Sequence, residues 1–516
     1  MSLREHSSFF VDGRWRPAHS PERLQVVSPR SEERIGSVPS ASAEDIDAAV
    51  GAARRAFDES GWATAPADER ADLVARLAAA ISARKDEIAE LIAEESGCTL
   101  FLAQAYQATA PTLSLNYYAE LARTYPYEEV RVRDLNSLVG AGGAGTIIPY
   151  AGNSVVVQQP VGVVACISAF NFALACAAQK AGPALAAGCT VVLKVPEPNP
   201  LASFLLGELI DEVGFPHGVL NIVAAGAEAS EHLIRHPGID MVSFTGSTTV
   251  GRRIGEICGS LVKPCVLELG GKSAGIILED ADLDVAIPTL VGCSVGTNQG
   301  QSCVCISRIL APASLYGEIA DALAEQISVL KVGDPMEPDT VVGPLITTAH
   351  RDRVLGHIRK GVEEGATVRV GGERPRHLAR GWYVEPTLLT DVSNRMTVAQ
   401  EEIFGPVTAV IPYADEEEAI TIANDSRYGL AGCVFTADVT HGFEVARRID
   451  TGTFSVNTFA ADLNSPFGGV KESGFGREHG RAGFEGMLRS KTISIDPSQE
   501  LPEAVLDGAT RAPATA

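Results

Sequence analysis

The sequence lacks the long apolar runs and the excess of basic charge that membrane and nucleic-acid proteins need. No window approaches about 18 uninterrupted apolar residues, so we expect no transmembrane helix. Its 516 residues include 42 basic and 65 acidic side chains, which gives a formal charge of −23. Such a surface repels phosphates and anionic membranes, so we expect neither partner. The first residues contain no apolar signal-peptide core, and we predict a cytoplasmic protein.

Cysteine is also scarce. Ten cysteines in 516 residues are too few for a disulfide scaffold. No Cys-x-x-Cys pair occurs, and Cys303-x-Cys305 has no second pair to complete a zinc site. His232 and His236 have metalloprotease spacing, but Leu233 occupies the position of the general-base Glu. We therefore expect no bound metal ion, and we expect the cysteines to be reduced thiols. The open question is whether one of these thiols is reactive.

What is present is enough apolar sequence for sizeable cores, with 45% hydrophobic residues. Ser42 and Asp45 form a capping-box pattern before one helix, and a longer helix is predicted from about Asp68 to a stop at Gly97. From Val161 onward, short β-branched runs alternate with helix-length segments. This alternation predicts an α/β fold with two largely parallel sheets in succession. A single barrel is the alternative, but the irregular spacing argues against it.

Two glycine-rich stretches resemble phosphate-binding motifs but lack other features that those motifs require. Residues 140–145 match G-x-G-x-x-G, but the residues after them, 146–150, are typical of a strand rather than the required helix. Residues 246–251 approach the P-loop pattern, but Arg252 and Arg253 replace its Lys and Ser/Thr. A kinase or ATPase is therefore disfavoured.

The candidate nucleophile is Cys303, at the end of a loop that reads Thr-Asn-Gln-Gly-Gln-Ser-Cys over residues 297–303. Small residues before a thiol let backbone amides approach whatever bonds to its sulfur. Taken alone, a buried structural cysteine is the commoner explanation. Glu268 ends an apolar run, which places an acid at the carboxyl end of a strand, where ligands of α/β folds gather. The alternative interpretation is that Glu268 is an ordinary surface carboxylate.

Seven short motifs occur in order along the chain. They are Phe170-Asn171-Phe172, Lys194-Val195-Pro196-Glu197, Phe244-Thr245-Gly246-Ser247, Glu268-Leu269-Gly270-Gly271-Lys272, Asn298-Gln299-Gly300-Gln301-Ser302-Cys303, Glu401-Glu402-Ile403-Phe404-Gly405-Pro406 and Pro466-Phe467-Gly468-Gly469. Together they resemble the NAD(P)-dependent aldehyde dehydrogenase superfamily, over residues from about 8 to 497.

The resemblance implies roles for four catalytic residues. Cys303 would add to the aldehyde, and the Asn171 amide with the Cys303 N–H would form the oxyanion hole. Glu268 would act as general base on the water that releases the acid. Family members that release their thioester to coenzyme A lack this Glu, so a hydrolytic enzyme is favoured. Glu478 matches a position implicated in proton relay in some members.

The resemblance also implies NAD as cofactor and assigns its binding residues. Lys194 and Glu197 would hold the adenosine ribose, and the Glu197 carboxylate would repel the 2′-phosphate of NADP. Glu402 is expected at the nicotinamide ribose and Phe404 near the nicotinamide ring. Gly246, Ser247 and Gly251 are expected at the turn that binds the pyrophosphate. The remaining expected cofactor-binding residues are Ser168, Ala169 and Phe170.

The substrate implied by the resemblance is an uncharged aliphatic, aromatic or terpenoid aldehyde. Enzymes for succinate semialdehyde carry an Arg where this chain has Gln179, and narrow acetaldehyde pockets carry a bulky aromatic at about Ala461. A semialdehyde dehydrogenase and a non-catalytic NAD-binding relative are the alternatives. A cysteine hydrolase would need a histidine base, and no histidine falls in a matched motif. Cys305 is either a pocket-lining residue or, less commonly, a partner for a disulfide with Cys303.

The family architecture implies a Rossmann-like cofactor domain from 1–139 and 161–272, and a catalytic domain from 273–472. Residues 140–160 and 473–500 would form an oligomerisation arm, in which Ser154–Val157 pairs with a strand near 491–495 and crosses to another subunit. A homodimer or homotetramer follows. Residues 501–516 are expected to be a loose tail.

Overall fold

The computed structural model describes residues 3–131, 154–460, 462–495, 499–502 and 505, together with the backbone of 510–511. Within these residues, no helix combines the length and apolar character needed to cross a bilayer. The glycine-rich segment 140–145, the strand expected after it and Ala461 lie outside the described residues.

The described helices and strands follow in chain order. The helices are α1 Ala43–Glu59, α2 Ala67–Ala83, α3 Lys85–Ser96, α4 Leu100–Leu102, α5 Ala110–Thr124, α6 Ala173–Ala187, α7 Leu201–Val213, α8 Ala227–Arg235, α9 Thr248–Leu261, α10 Leu283–Val291, α11 Tyr316–Ser328, α12 Thr348–Glu363, α13 Thr397–Gln400, α14 Glu416–Asn424, α15 Val439–Arg448 and α16 Gly480–Glu485. The strands are β1 Arg4–Glu5, β2 Ser8–Val11, β3 Arg14–Pro17, β4 Arg23–Val27, β5 Arg34–Pro39, β6 Glu128–Arg131, β7 Ser154–Pro160, β8 Val163–Ile167, β9 Thr190–Val195, β10 Leu220–Ala224, β11 Met241–Thr245, β12 Cys265–Glu268, β13 Ser273–Ile277, β14 Ile306–Pro312, β15 Thr367–Val370, β16 Thr387–Thr390, β17 Val407–Tyr413, β18 Tyr428–Gly429, β19 Gly432–Phe435, β20 Ser455–Val456, β21 Val470–Lys471, β22 Gly474–Phe475, β23 Leu488–Ser494 and β24 Thr510–Arg511.

The first large sheet has the strand order β22-β12-β11-β8-β9-β10-β2-β3. Its five central strands, from β12 to β10, are parallel. The chain builds β8, β9 and β10 outward in one direction and then returns to place β11 and β12 on the other side of β8. Such a reversal creates a crevice beyond the carboxyl ends of β8 and β11, where open α/β sheets bind ligands.

The second large sheet follows in the sequence, with the order β15-β16-β17-β14-β13-β19-β20. All neighbours are parallel except β15, which pairs antiparallel with β16. Buried apolar residues pack in separate clusters on either side of this sheet. The prediction of an α/β fold with two successive, largely parallel sheets is confirmed.

A smaller sheet has the order β23-β7-β6-β24. Val157 lies opposite Lys491 and Ser154 opposite Ser494, which is the strand pairing expected for the arm. Two details differ from the expected boundaries. The supposed loose tail contributes β24, which pairs with β6, and β6 itself lies in this sheet although it falls within residues 1–139.

The segment expected wholly in the arm, 473–500, also contributes to the first large sheet. Its strand β22 pairs with β12, and the Leu269 N–H donates to the Ser473 carbonyl over 3.0 Å. Gly474 permits this contact, because a Cβ there would lie 1.9 Å from the Leu267 carbonyl oxygen. The C-terminal segment is therefore shared between the two sheets.

The early helices follow the sequence in part. Ser42 and Asp45 form the predicted capping box of α1, and Gly97 ends α3 in a left-handed conformation. The single helix predicted between 68 and 97 is wrong: it divides into α2 and α3 at Arg84, whose backbone is not helical. The Arg84 guanidinium binds Glu87 and Glu208, each over 2.9 Å, so contacts distant in sequence stabilise the break.

Candidate active site

A cavity of about 820 Å³ lies at the crevice between the two large sheets. It is lined from the first sheet by the carboxyl ends of β8, β9 and β11 with α8 and α9, and from the second half of the chain by residues near 303, 350 and 402. Eleven of the predicted site residues line it: Cys303, Asn171, Lys194, Glu197, Gly246, Ser247, Glu402, Phe404, Ser168, Ala169 and Phe170. Glu268, Glu478 and Gly251 are not among its lining residues.

The loop before Cys303 has an unusual backbone. Asn298, Gln299 and Gly300 all have positive φ, at 49°, 54° and 68°. Gly300 is required there, because a Cβ would lie 2.0 Å from the Gly405 carbonyl oxygen. The Asn298 amide donates to the carbonyl of Asn171 over 3.0 Å. The loop is thereby tied to the segment that carries the predicted oxyanion donor, so the nucleophile and that donor are held together before substrate arrives.

Two glycines after β12 let this strand end pass close to the nucleophile. A Cβ on Gly271 would lie 2.3 Å from the Cys303 carbonyl oxygen, and one on Gly270 would lie 2.4 Å from Glu402 Oε2. The Gly271 N–H donates to Glu402 Oε1 over 3.2 Å. The glycine pair of this motif therefore allows Cys303, Glu268 and Glu402 to converge on one small space.

The surroundings of Cys303 favour the neutral form of its thiol. Burial raises its pKa well above the usual value, and the nearby Glu268, Cys176 and Glu402 raise it further. A neutral thiol is a weak nucleophile, so Cys303 needs a base to remove its proton.

Glu268 is the buried carboxyl group at the end of β12. Burial is the main reason that its pKa lies well above the usual value, and the charge of Glu478 raises the pKa further, against the opposing charges of Lys180 and Arg477. Its Oε1 atom has no hydrogen-bond partner within the described part of the chain. The raised pKa makes Glu268 a stronger proton acceptor than an exposed glutamate, as a general base requires.

A buried ion pair between Lys180 and Glu478 lies behind Glu268. Lys180, on α6, is fully buried, and its Nζ atom is 3.4 Å from the hydroxyl oxygen of Ser243 on β11. Glu478 was expected from the sequence, but its partner Lys180 was not. The available signal was a lone cation in the alanine-rich stretch 173–187, where an unpaired charge would be very unfavourable.

The opposite end of the cavity is built from backbone at the start of α9. Ser247 caps this helix, its hydroxyl accepting the Val250 N–H over 3.4 Å, and the Gly246 N–H donates to the Glu268 carbonyl over 3.0 Å. Gly251 lies one turn further on, where a Cβ would be 2.4 Å from the Leu269 side chain. Gly251 therefore allows the helix to pack closely against the end of β12. At this turn, the residues that line the cavity are Gly246 and Ser247.

Lys194 and Glu197 stand together where β9 ends. Their charged atoms are 4.0 Å apart. Lys194 is largely buried, and burial lowers its pKa, opposed by the charge of Glu197. Glu197 is half exposed at the rim, so its carboxylate is free to accept hydrogen bonds from a ligand.

An aromatic group that was only partly predicted from the sequence lines the cavity. His350 lies 6.0 Å from the rings of both Phe170 and Phe404, and those two rings are 5.6 Å apart. Burial lowers the pKa of His350 to about 4, so the ring is neutral, and its Nε2 donates to the Phe404 carbonyl over 2.6 Å. His350 lies on α12 outside every recognised motif, and no sequence signal pointed to it.

Aromatic and uncharged side chains also lie close to Cys303, on α6, on the residues just before it and on the segment between α4 and α5. Tyr106 and Phe172 meet edge to face at 5.5 Å. Burial raises the pKa of Tyr106 to about 12, with contributions from Cys176 and Cys303, and its hydroxyl hydrogen-bonds Gln179. The amide of Gln179 is therefore engaged by Tyr106.

The cavity fits a dinucleotide. Its volume falls within the usual range for cofactor sites, the N-terminus of the 14-residue helix α9 faces it, and a lysine and a carboxylate stand at one rim. By contrast, His232 and His236 both face Asp47, at 2.6 and 3.4 Å, and no cluster within the described residues could hold a metal ion.

Comparison with known proteins identifies a matching family and similar structures. A model described as the aldehyde dehydrogenase family matches residues 15–493. Geranial dehydrogenase of Castellaniella defragrans is 43% identical over 491 residues, covering 95% of this chain and 99% of that protein. A 3-succinoylsemialdehyde-pyridine dehydrogenase of Pseudomonas sp is 41% identical, with 95% and 99% covered. A Mycobacterium tuberculosis aldehyde dehydrogenase complexed with NAD+ has a TM-score of 0.92 and 44% identity, covering 97% of this chain and 100% of that one.

Proposed function

Because this chain belongs to the aldehyde dehydrogenase family and is an NAD-dependent enzyme of that family, we propose that it oxidises an uncharged, mainly apolar aldehyde to the free carboxylic acid. The reaction proceeds through a thioester on Cys303. The observation that carries this proposal is the position of Cys303, in one cavity with Asn171 and in electrostatic contact with Glu268.

The first step is addition of the Cys303 sulfur to the aldehyde carbon. Since the thiol is neutral at rest, its proton passes to a base, and Glu268 is the nearby carboxyl group with the strongest influence on the pKa of the thiol. The oxygen of the resulting thiohemiacetal carries developing negative charge. The Asn171 amide and the Cys303 N–H hold that charge, and loss of one such donor typically costs about 3–4 kcal/mol.

When bound, NAD supplies the hydride acceptor that aldehyde oxidation requires. Lys194 and Glu197 would hold its adenosine ribose, Gly246 and Ser247 its pyrophosphate, and Glu402 its nicotinamide ribose.

The second half of the reaction is hydrolysis of the thioester. Glu268 first releases to solvent the proton that it took from Cys303, and it then takes a proton from the water that attacks the acyl carbon. The carbon–sulfur bond breaks to give the carboxylic acid, and the proton held by Glu268 returns to the Cys303 sulfur. The Lys180–Glu478 pair behind Glu268 adjusts the pKa of this base beside the larger effect of burial: Glu478 raises it and Lys180 lowers it.

The substrate class rests on the side chains near the sulfur. Tyr106, Cys176 and Phe172 are apolar or uncharged, and Gln179 is occupied by Tyr106. The nearby Lys180 is paired with Glu478 and is not free to bind a distal carboxylate. A geranial dehydrogenase among the relatives agrees with an apolar aldehyde. The relative named for a pyridine-bearing semialdehyde makes a semialdehyde the second candidate.

The test is kcat/KM with NAD for hexanal, benzaldehyde, a terpenoid aldehyde, betaine aldehyde and succinate semialdehyde. We expect the three uncharged substrates to lead. In Gln179→Arg, the ratio for succinate semialdehyde over hexanal should rise, whereas Gln179→Leu, which removes the hydrogen bond without adding charge, should leave this ratio low. A wild-type enzyme that prefers a charged aldehyde contradicts the proposed substrate class.

We also propose that the chain forms a homo-oligomer through its four-stranded sheet, β23-β7-β6-β24. Strand β23 lies at the edge of that sheet and is exposed along six of its seven residues. An exposed edge strand offers unpaired backbone groups to another chain. Light scattering on the purified protein should give the mass of a dimer or a tetramer, and a monomer would contradict this assembly.

A further inference from the structure

Two charged side chains of the cavity lining have no part in the function proposed above. They are Glu231 on α8 and Arg253 on α9. Arg253 is also one of the two residues that interrupt the P-loop pattern, and no function was assigned to it from the sequence. A cavity that binds a dinucleotide therefore contains an arginine whose role is open.

One face of each of these two helices lines the cavity. The lining residues include a set on α8 and a set on α9 with the spacing i, i+3, i+4 and i+7, which places each set on one side of its helix. The sets are Ala227, Ser230, Glu231 and Ile234 on α8, and Val250, Arg253, Ile254 and Ile257 on α9. Each set thus contains one charged residue among small or apolar ones.

The two charged residues connect the helices. The Arg253 Nε and Nη2 atoms donate to the two carboxylate oxygens of Glu231, over 3.2 and 2.9 Å. Arg235, one turn further along α8, donates to the same carboxylate over 2.8 Å. The hydrogen bonds from both arginines lower the pKa of Glu231, so this carboxyl group is ionised. Because a bidentate pair fixes the plane of a guanidinium group, Arg253 presents an oriented, flat cation to the cavity.

The space between the helices suits a flat, uncharged ring. Ile234, Ile254 and Ile257 are buried. The side chains of Glu231 and Arg253 are instead 36% and 52% exposed. The cavity therefore has an apolar inner side here and a charged, planar group toward the solvent. Guanidinium groups stack favourably on the faces of aromatic rings.

The adenine ring is the part of NAD that would reach this space. The proposed function places the adenosine ribose at Lys194 and Glu197. It places the pyrophosphate at Gly246 and Ser247, directly before α9. The adenine is bonded to that ribose, and the two helix faces supply much of the lining that this placement leaves unassigned.

We propose that Arg253 is a further cofactor-binding residue, whose guanidinium lies over the face of the adenine ring, and that Glu231 is the positioning residue that holds it there. This inference rests on the placement of the adenosine in the proposed function. Since the pair is partly exposed, the contact is worth a modest gain in affinity, and its loss should weaken cofactor binding roughly fivefold.

The experiment measures the Kd of NAD and of ADP-ribose by calorimetry on the full chain, without aldehyde. ADP-ribose keeps the adenine and lacks the nicotinamide, so a lost contact with the adenine weakens both ligands equally. Arg253→Met keeps the length of the side chain but removes the planar cation, and it should weaken both ligands roughly fivefold. Arg253→Lys keeps the charge without the flat group and should give an intermediate loss.

Glu231→Gln tests the positioning role. It should weaken both ligands about twofold, because the guanidinium loses its ionic partner. The double variant with Arg253→Met should bind no more weakly than Arg253→Met alone, since Glu231 acts through Arg253. A residue that only stabilised α8 would add its own loss to that of Arg253→Met, and such additivity would contradict the positioning role.

The matched control is Arg235→Met, because Arg235 donates to the same carboxylate but is not among the cavity-lining residues. It should leave both Kd values unchanged. The inference is overturned if Arg253→Met leaves the affinity for ADP-ribose unchanged, if it weakens NAD alone, or if Arg235→Met has the same effect.

Lys194→Met separates failure of this inference from failure of the cofactor placement. If Lys194→Met weakens ADP-ribose and Arg253→Met does not, the adenosine placement stands and the role of Arg253 is wrong. If neither variant weakens ADP-ribose, the placement is wrong as well. None of these readouts depends on aldehyde turnover, so the proposed chemistry at Cys303 is tested separately.

Discussion

The two ends of the cavity are built in different ways. At the cofactor end, the wall is formed by turns at the carboxyl ends of parallel strands, and backbone groups of Gly246 and Ser247 face the space. At the catalytic end, Glu268 depends on Lys180 and Glu478, which come from distant segments and are buried with it. Backbone walls tolerate a changed side chain, whereas buried charges depend on one another. A single substitution should therefore propagate through the catalytic end and stay local at the cofactor end.

The largest effect should come from Cys303→Ala. Without the sulfur no thiohemiacetal forms, and we expect aldehyde oxidation to fall by about 10⁴-fold or more. NAD affinity, measured by calorimetry, should be unchanged because the cofactor end is built independently. If NAD binding is lost as well, the two ends are not separable.

Glu268→Gln should come next. Glu268 takes the thiol proton before hydride transfer and activates water after it, so mixing this variant with NAD and aldehyde should give a slowed burst of about one reduced nicotinamide per site, followed by little turnover. Steady-state kcat should fall by roughly 10²–10⁴-fold. Stopped-flow absorbance separates the two phases, and wild-type steady-state turnover in this variant would refute the deacylation role.

Disrupting the buried ion pair between Lys180 and Glu478 should destabilise the folded protein. Lys180→Met leaves Glu478 uncompensated in the interior, which should lower the free energy of unfolding by roughly 3–5 kcal/mol. Thermal or denaturant unfolding measures this, and the double variant with Glu478→Gln should recover part of the loss. Full additivity of the two single effects would mean that the pair is not coupled.

The single variants Glu478→Gln and Lys180→Met should shift the pH dependence of kcat in opposite directions. Glu478 raises the pKa of Glu268 and Lys180 lowers it. Glu478→Gln should therefore lower that pKa and move the rising acidic limb of kcat to lower pH. Lys180→Met should raise it and move the limb to higher pH. A purely structural role predicts no such opposed movement.

The contrast between the two ends also explains which features the sequence predicted. Strand runs and the capping box at Ser42 depend on near neighbours and were correctly identified. The break at Arg84 is stabilised by Glu208, a contact distant in sequence, and no glycine or proline marks it. Lys180 and His350 likewise meet their partners only in the folded chain, so motif spacing could not identify them.

The smallest effect should come from Glu197→Ser at the cofactor end. Its carboxylate is half exposed and 4.0 Å from the Lys194 ammonium. Removing this negative charge leaves the lysine free to attract a 2′-phosphate, so the ratio of kcat/KM with NADP to that with NAD should rise about tenfold, equivalent to about 1.4 kcal/mol. Glu197→Asp keeps the charge and should keep the preference for NAD. The pH profile of kcat should match wild type in both variants, because neither substitution changes the charges around Glu268. A shifted profile would mean that the two ends of the cavity are coupled.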